Sequence, residues 1–95
     1  MDTYSIPFNN VRLDFDGEKH SLFLIKTNSQ ATMPVEINKE TAIKICEDID
    51  EFLNKYTDVK YDAILTNHKN NEIIVDVWGI YDCENSLTIL FDDYL

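Results

Sequence analysis

Glycine and proline are scarce, with two of each in 95 residues. That leaves no room for a flexible linker or a low-complexity segment. Cysteine is equally rare. Cys46 and Cys83 are too few for a disulfide framework, and a chain of this length folds without one. No apolar run reaches membrane-spanning length. The N-terminal stretch MDTYSIPFNN lacks the basic and apolar regions of a secretory signal, so a cytoplasmic protein with no membrane contact is expected. Basic residues are missing from the whole of residues 70–95, and no internal repeat is present.

What the chain does have is acid. Eighteen Asp and Glu face eight Lys and Arg, for a net charge of −10. Such a field repels nucleic acid and anionic membranes, which basic surfaces bind, and it speeds encounter with basic proteins. The length fits one domain, residues 1–95, burying roughly 60–65% of its unfolded surface.

Hydrophobic periodicity predicts the elements. In VRLDF, Val11, Leu13 and Phe15 alternate with polar residues, as in a half-buried strand. Asp16-Gly17 is a favoured two-residue turn; a strict version sets Leu13 opposite His20, and a bulged one does not. Residues 22–25 return as a strand that is apolar on both faces, and TNSQATMP follows as a polar loop. Asn38 is a suitable N-cap, with Ile37 placed to staple the first turn. From there Ala42, Ile45, Cys46, Ile49, Phe52, Leu53 and Tyr56 recur at steps of three and four, predicting a helix over 39–56. Strands are expected at 61–67, 72–81 and 86–91, with 82–85 as the last turn. On the second of these, Ile73, Val75, Val77 and Tyr81 share one face, while Ile74, Asp76, Trp78 and Ile80 share the other. The order ββαβββ predicts an α+β fold, a single-layer, mainly antiparallel five-stranded sheet with one α-helix on one face. One helix cannot cover both faces, so the apolar residues around Trp78 are expected to meet a partner or a second copy in a homodimer.

Chemistry-bearing patterns are few. His20 and His68 have no partner at metal-ligand spacing, and DFDGE (14–18) lacks the EF-hand spacing, so neither a metal nor a cofactor is expected. There is no phosphate loop, nucleophile elbow or Cys–His arrangement, so the expected protein is not an enzyme.

The acids remain to be explained. Within Lys44–Tyr56 four of thirteen residues are acidic. Glu40, Glu47 and Glu51 fall opposite the apolar stripe, with Asp50 on one flank and Asp48 on the other. Glu47 and Glu51 sit four apart, where like charges slightly oppose the helix. A row of carboxylates about 5–6 Å apart can imitate the phosphates held by a basic groove. Asp82, Glu84, Asp92 and Asp93 form a second charged group, and Trp78 is the best aromatic anchor.

The expected function is a small acidic inhibitor or decoy that fills a basic, nucleic-acid-binding groove of a larger protein and does not itself bind nucleic acid. In character it is similar to phage-encoded anti-defence proteins, anti-CRISPR inhibitors among them, although no motif of a particular family is present. Two alternatives use the same residues differently. One is an immunity protein or antitoxin covering a basic nuclease toxin. The other is a structural component that assembles through the apolar sheet face.

Overall fold

The periodic apolar stripe becomes one side of a continuous core. In the computed structural model, α1 (Lys39–Leu53) buries Ala42, Ile45, Cys46, Ile49, Phe52 and Leu53. The structure describes residues 3–17, 19–25, 33–35, 38–56, 62–68 and 72–94, with side chains for all of these except 33–35, 62 and 64–68. The helix starts as its sequence requires: the Asn38 side chain accepts from the Thr41 N–H at 2.8 Å, closing one orphan donor. Ile37, the expected staple, lies outside the described residues, as does residue 61. The helix ends three residues earlier than expected. Asn54 N–H still reaches the Asp50 carbonyl, but Lys55 and Tyr56 turn back to Phe52 and Leu53, a tightening typical of a final turn.

Two antiparallel sheets pack around this helix. The first has the order β1–β2–β3–β4, formed by β1 (Thr3–Pro7), β2 (Val11–Asp16), β3 (Lys19–Leu24) and β4 (Met33–Val35). The second has the order β5–β6–β7, formed by β5 (Asp62–His68), β6 (Glu72–Trp78) and β7 (Cys83–Leu90), and ends in a 3-10 turn, η1 (Phe91–Tyr94). The fold is α+β with antiparallel pairing and a single α-helix, as the pattern implied. All five expected strands are present, but β1 and β4 are added and the sheet is divided in two, meeting where β4 approaches β5. Both extra strands are short and contain a proline, Pro7 or Pro34. Each stands at the end of its sheet, where a missing N–H is tolerated. The expected loop TNSQATMP therefore ends inside β4.

The core takes one face of each sheet. Val11, Leu13, Phe15, Leu22 and Leu24 come from the first, and Ala63, Ile73, Val75, Val77 and Ile89 from the second, closed by Phe91. Phe23, on the other face of β3, is half-buried beneath the Arg12 guanidinium, 4.5 Å from its ring centre. The hairpin turns one residue later than the expected Asp16-Gly17 turn. Asp16 pairs with Lys19, and Leu13 faces Leu22. Gly17 carries the positive φ, 63°, that such a loop needs.

The second hairpin turns earlier than expected. Gly79 N–H donates to the Asp82 carbonyl, so 79–82 form the turn, and Cys83, assigned to the turn from sequence, opens β7. The register slips between Val77 and Trp78, which pair with Asn85 and Cys83, leaving Glu84 as the extra residue of a bulge. The bulge folds the Glu84 side chain over Gly79, where a Cβ would stand 2.8 Å from its carboxylate. Tyr81 consequently leaves the core face assigned to it and is 88% exposed, and Ile80 lies beside it rather than on the outer sheet face, 76% exposed. The outer face of β6 reads Glu72, Ile74, Asp76, Trp78, and Ser86 donates across to Asp76 at 2.5 Å. This polar pair thus interrupts the apolar face expected there.

Candidate functional site

The acids of the helix fall into two kinds. Glu40, Glu47 and Glu51 are exposed on the outer face, opposite the buried stripe. Glu40 lies in the first turn, where the helix dipole favours a negative charge. Asp50 departs from this row. Its carboxylate accepts from the Asn10 backbone N–H at 2.6 Å and from the Asn10 side-chain amide at 3.1 Å. That amide also reaches the Asp50 carbonyl and the Asn54 side chain, and Asn9 donates to Asn54 as well. Asn10 is 6% exposed, so Asp50 holds the β1–β2 turn onto the end of the helix. A charged acceptor for a buried amide is a structural task.

Asp48, on the opposite flank, is drawn toward the C-terminal turn. The Tyr94 hydroxyl donates to its carboxylate. Burial raises the phenol pKa, and the hydrogen bond to Asp48 together with the charges of Asp48 and Asp93 raises it further. This contact fixes η1 against α1 and brings the helix acids to the C-terminal ones. A groove of about 520 Å³ opens between α1, β7 and η1. Phe52, Leu87, Ile89 and Tyr94 line it apolarly, while Asp48, Glu51 and Asp93 line it with acid and Lys55 contributes one base.

Of the residues singled out from sequence, Glu51 and Asp93 therefore meet in one groove. Glu47 and Glu40 continue along the helix, and Asp92 stands exposed beside Asp93 on η1. Asp82, Glu84 and Trp78 form a separate cluster at the β6–β7 turn, where all three are exposed. Along β7, Glu84 lies roughly 20 Å from Leu90, at about 3.3 Å per residue. The two charged rows expected from sequence are thus one groove-centred surface and one hairpin tip. Asp48, Lys55 and Tyr94 complete the groove but were not among the expected site residues. Their joining depends on a contact between positions 46 apart, which no local pattern signals.

Little positive charge answers this acid. Among the described residues the ion pair is Arg12–Asp14, at 2.8 Å in the first sheet. Lys39 lies over the stacked rings of Tyr4 and Phe15. Neither cation reaches the groove.

The two thiols differ sharply. Cys46 is completely buried, and burial, with the charges of Asp50 and Glu47, pushes its pKa up to about 12. Cys83 is exposed, and both are free. No group of three or more His, Cys, Asp or Glu among the described residues is arranged to hold a metal ion. No described helix is long and apolar enough to cross a membrane. No family model, curated protein or solved structure matches this chain.

Proposed function

We propose that this protein is a non-enzymatic acidic inhibitor that occupies the basic, nucleic-acid-binding surface of a larger protein. One observation carries the reading: exposed carboxylates of the helix and the C-terminal turn converge on one groove, and none is in an ion pair among the described residues. Carboxylates held near one another against an apolar wall raise the local negative potential, which favours Lys and Arg over neutral partners. Glu40, Glu47, Glu51, Asp92 and Asp93 supply this face. Asp50 does not belong to it, because Asn10 engages its carboxylate. The same electrostatics serve an immunity protein covering a basic nuclease, and the identity of the partner separates the two.

The test is capture from native host lysate at low salt, elution at high salt, and a competition assay on the protein recovered. The expected result is one basic protein whose bound nucleic acid is displaced at a 1:1 ratio. A Glu47→Lys, Glu51→Lys, Asp93→Lys variant should lose that competition while remaining folded. Full competition by this variant would sink the proposal.

A second reading rests on the hairpin tip, where Ile80 and Tyr81 are exposed beside Trp78, itself 39% exposed. Assembly through that tip predicts an oligomer whose mass is insensitive to salt, because apolar contacts are not screened.

A further inference from the structure

The groove has a second property that charge does not explain. Leu87, Thr88, Ile89 and Leu90 all line it, four consecutive residues of one strand. Consecutive strand residues alternate between faces, so a cavity touching all four meets the edge of β7 itself. That edge carries no further strand: among the described residues β7 pairs with β6 alone, although near its start the Asn85 side chain accepts from the Ser86 N–H at 2.9 Å and donates to the Tyr56 hydroxyl at 2.6 Å. Alternate backbone N–H and C=O groups of β7 therefore point away from β6 and into or beside the groove.

Exposed edges are normally blunted with lysine, proline, bulges or short length. The free edge of the first sheet, β1, follows this rule, with five residues ending in Pro7. β7 has eight residues and neither lysine nor proline, and its bulge at Glu84 protects only the far end. With the Ser86 N–H covered by the Asn85 side chain, the stretch 87–90 is left open.

We infer that the β7 edge receives an extended, basic segment of the partner as a fourth strand of the second sheet, a proposal that rests on the basic-partner reading above. Alternate side chains of the added strand face the α1–η1 wall, where Glu51 and Asp93 stand and Phe52 and Tyr94 give an apolar backing for long aliphatic stems. The length from Leu87 to Leu90, about 10 Å, seats three or four residues. A second copy of this chain fits poorly, because pairing two β7 edges would bring two bodies of charge −10 into register.

A ten-residue peptide alternating arginine with valine tests the inference on the intact protein. Two N-methylated versions, one methylated at every valine and one at every arginine, keep the charge and remove one set of backbone donors each. The unmodified peptide should bind at low salt and protect the outward-pointing amides within residues 87–90 from hydrogen exchange. At least one methylated version should bind about tenfold more weakly, because it cannot form the ladder. Glu51→Gln with Asp93→Asn should weaken the unmodified peptide by about tenfold as well. If all three peptides bind equally and salt releases them, the acids attract basic chains without using the edge, and the inference fails while the proposed function stands. If none binds at low salt, both fail.

Discussion

The two sheets share a core and treat charge in opposite ways. Residues 1–35 hold four acids and three bases, whereas residues 70–95 hold six acids and no base. In the first sheet Asp14 is enclosed by partners: Arg12 reaches both of its oxygens, at 2.8 and 3.0 Å, and Ser5 donates at 2.6 Å. In the second, Asp76 meets a serine, and the acids of η1 and the hairpin tip face outward. Helix α1 belongs to both regimes, since Asp50 is tied to the first sheet's turn while Glu47 and Glu51 are left open. The comparison teaches that net charge alone is a poor guide to function. Acids engaged by hydrogen bonds hold the fold, and the remainder are available to a partner.

Substitution along α1 should break this comparison most directly if it is wrong. Asp50→Ala removes the acceptor of the buried Asn10 amides and should cost about 2–3 kcal/mol in urea denaturation. Glu47→Ala, three residues away and exposed, should change stability by no more than about 0.5 kcal/mol. Asn10→Ala should show strong coupling to Asp50→Ala in a double-mutant cycle. Equal and small effects at positions 47 and 50 would erase the distinction between engaged and open acids.

How much of this was legible beforehand depends on the range of each interaction. The helix stripe was, because a 3.6-residue period and burial report the same contacts. So were the core positions of β2 and β6, through simple alternation. The hairpin register was not, since both Asp16-Gly17 and the Gly17-centred loop satisfy the need for positive φ, and cross-strand pairing of Leu13 with Leu22 decides between them. β1 and β4 were hidden by their prolines and short length. Asp50 was grouped with Glu47 and Glu51 because its partner Asn10 lies 40 residues away, beyond any helical spacing. The groove was invisible for the same reason: η1 reaches α1 only after the chain has folded.

The pH dependence of stability should sharpen the contrast, because the two halves are vulnerable at opposite ends of the scale. Burial raises the Asp14 pKa, but the hydrogen bonds from Ser5 and Arg12 and the Arg12 charge outweigh it and hold the group below the ordinary 3.8. A carboxylate depressed on folding stabilises above its unfolded value, so this contribution is present above about pH 4 and lost as pH falls through the folded value. Arg12→Ala and Ser5→Ala should each flatten that acid limb, by less than about 1 kcal/mol for a partly exposed pair. Tyr94 behaves oppositely. Its raised pKa means that the neutral, donating phenol stabilises below the ordinary 10.0 and that this is lost as pH rises beyond it. Cys46 adds to the same limb from its ordinary 9.0 upward. Tyr94→Phe and Cys46→Ala should therefore flatten the alkaline limb separately, as followed by circular dichroism. An alkaline limb unchanged in Tyr94→Phe would mean that η1 is not held by Asp48.

The smallest effect is the most informative about the groove. Glu51→Gln with Asp93→Asn removes two charges at nearly constant shape, and neither residue has an ion pair among the described residues. Acids kept for folding would lower stability when neutralised. Acids kept for a partner oppose one another in the free protein, so the double variant should unfold at equal or slightly higher urea concentration, a gain within about 0.5 kcal/mol. The sign matters more than the size. A loss of stability would place Glu51 and Asp93 with Asp14 and Asp50 among the engaged acids. A gain, with weaker binding of the arginine–valine peptide, would show charge retained against the interest of the fold, which is expected where the charge serves an interaction.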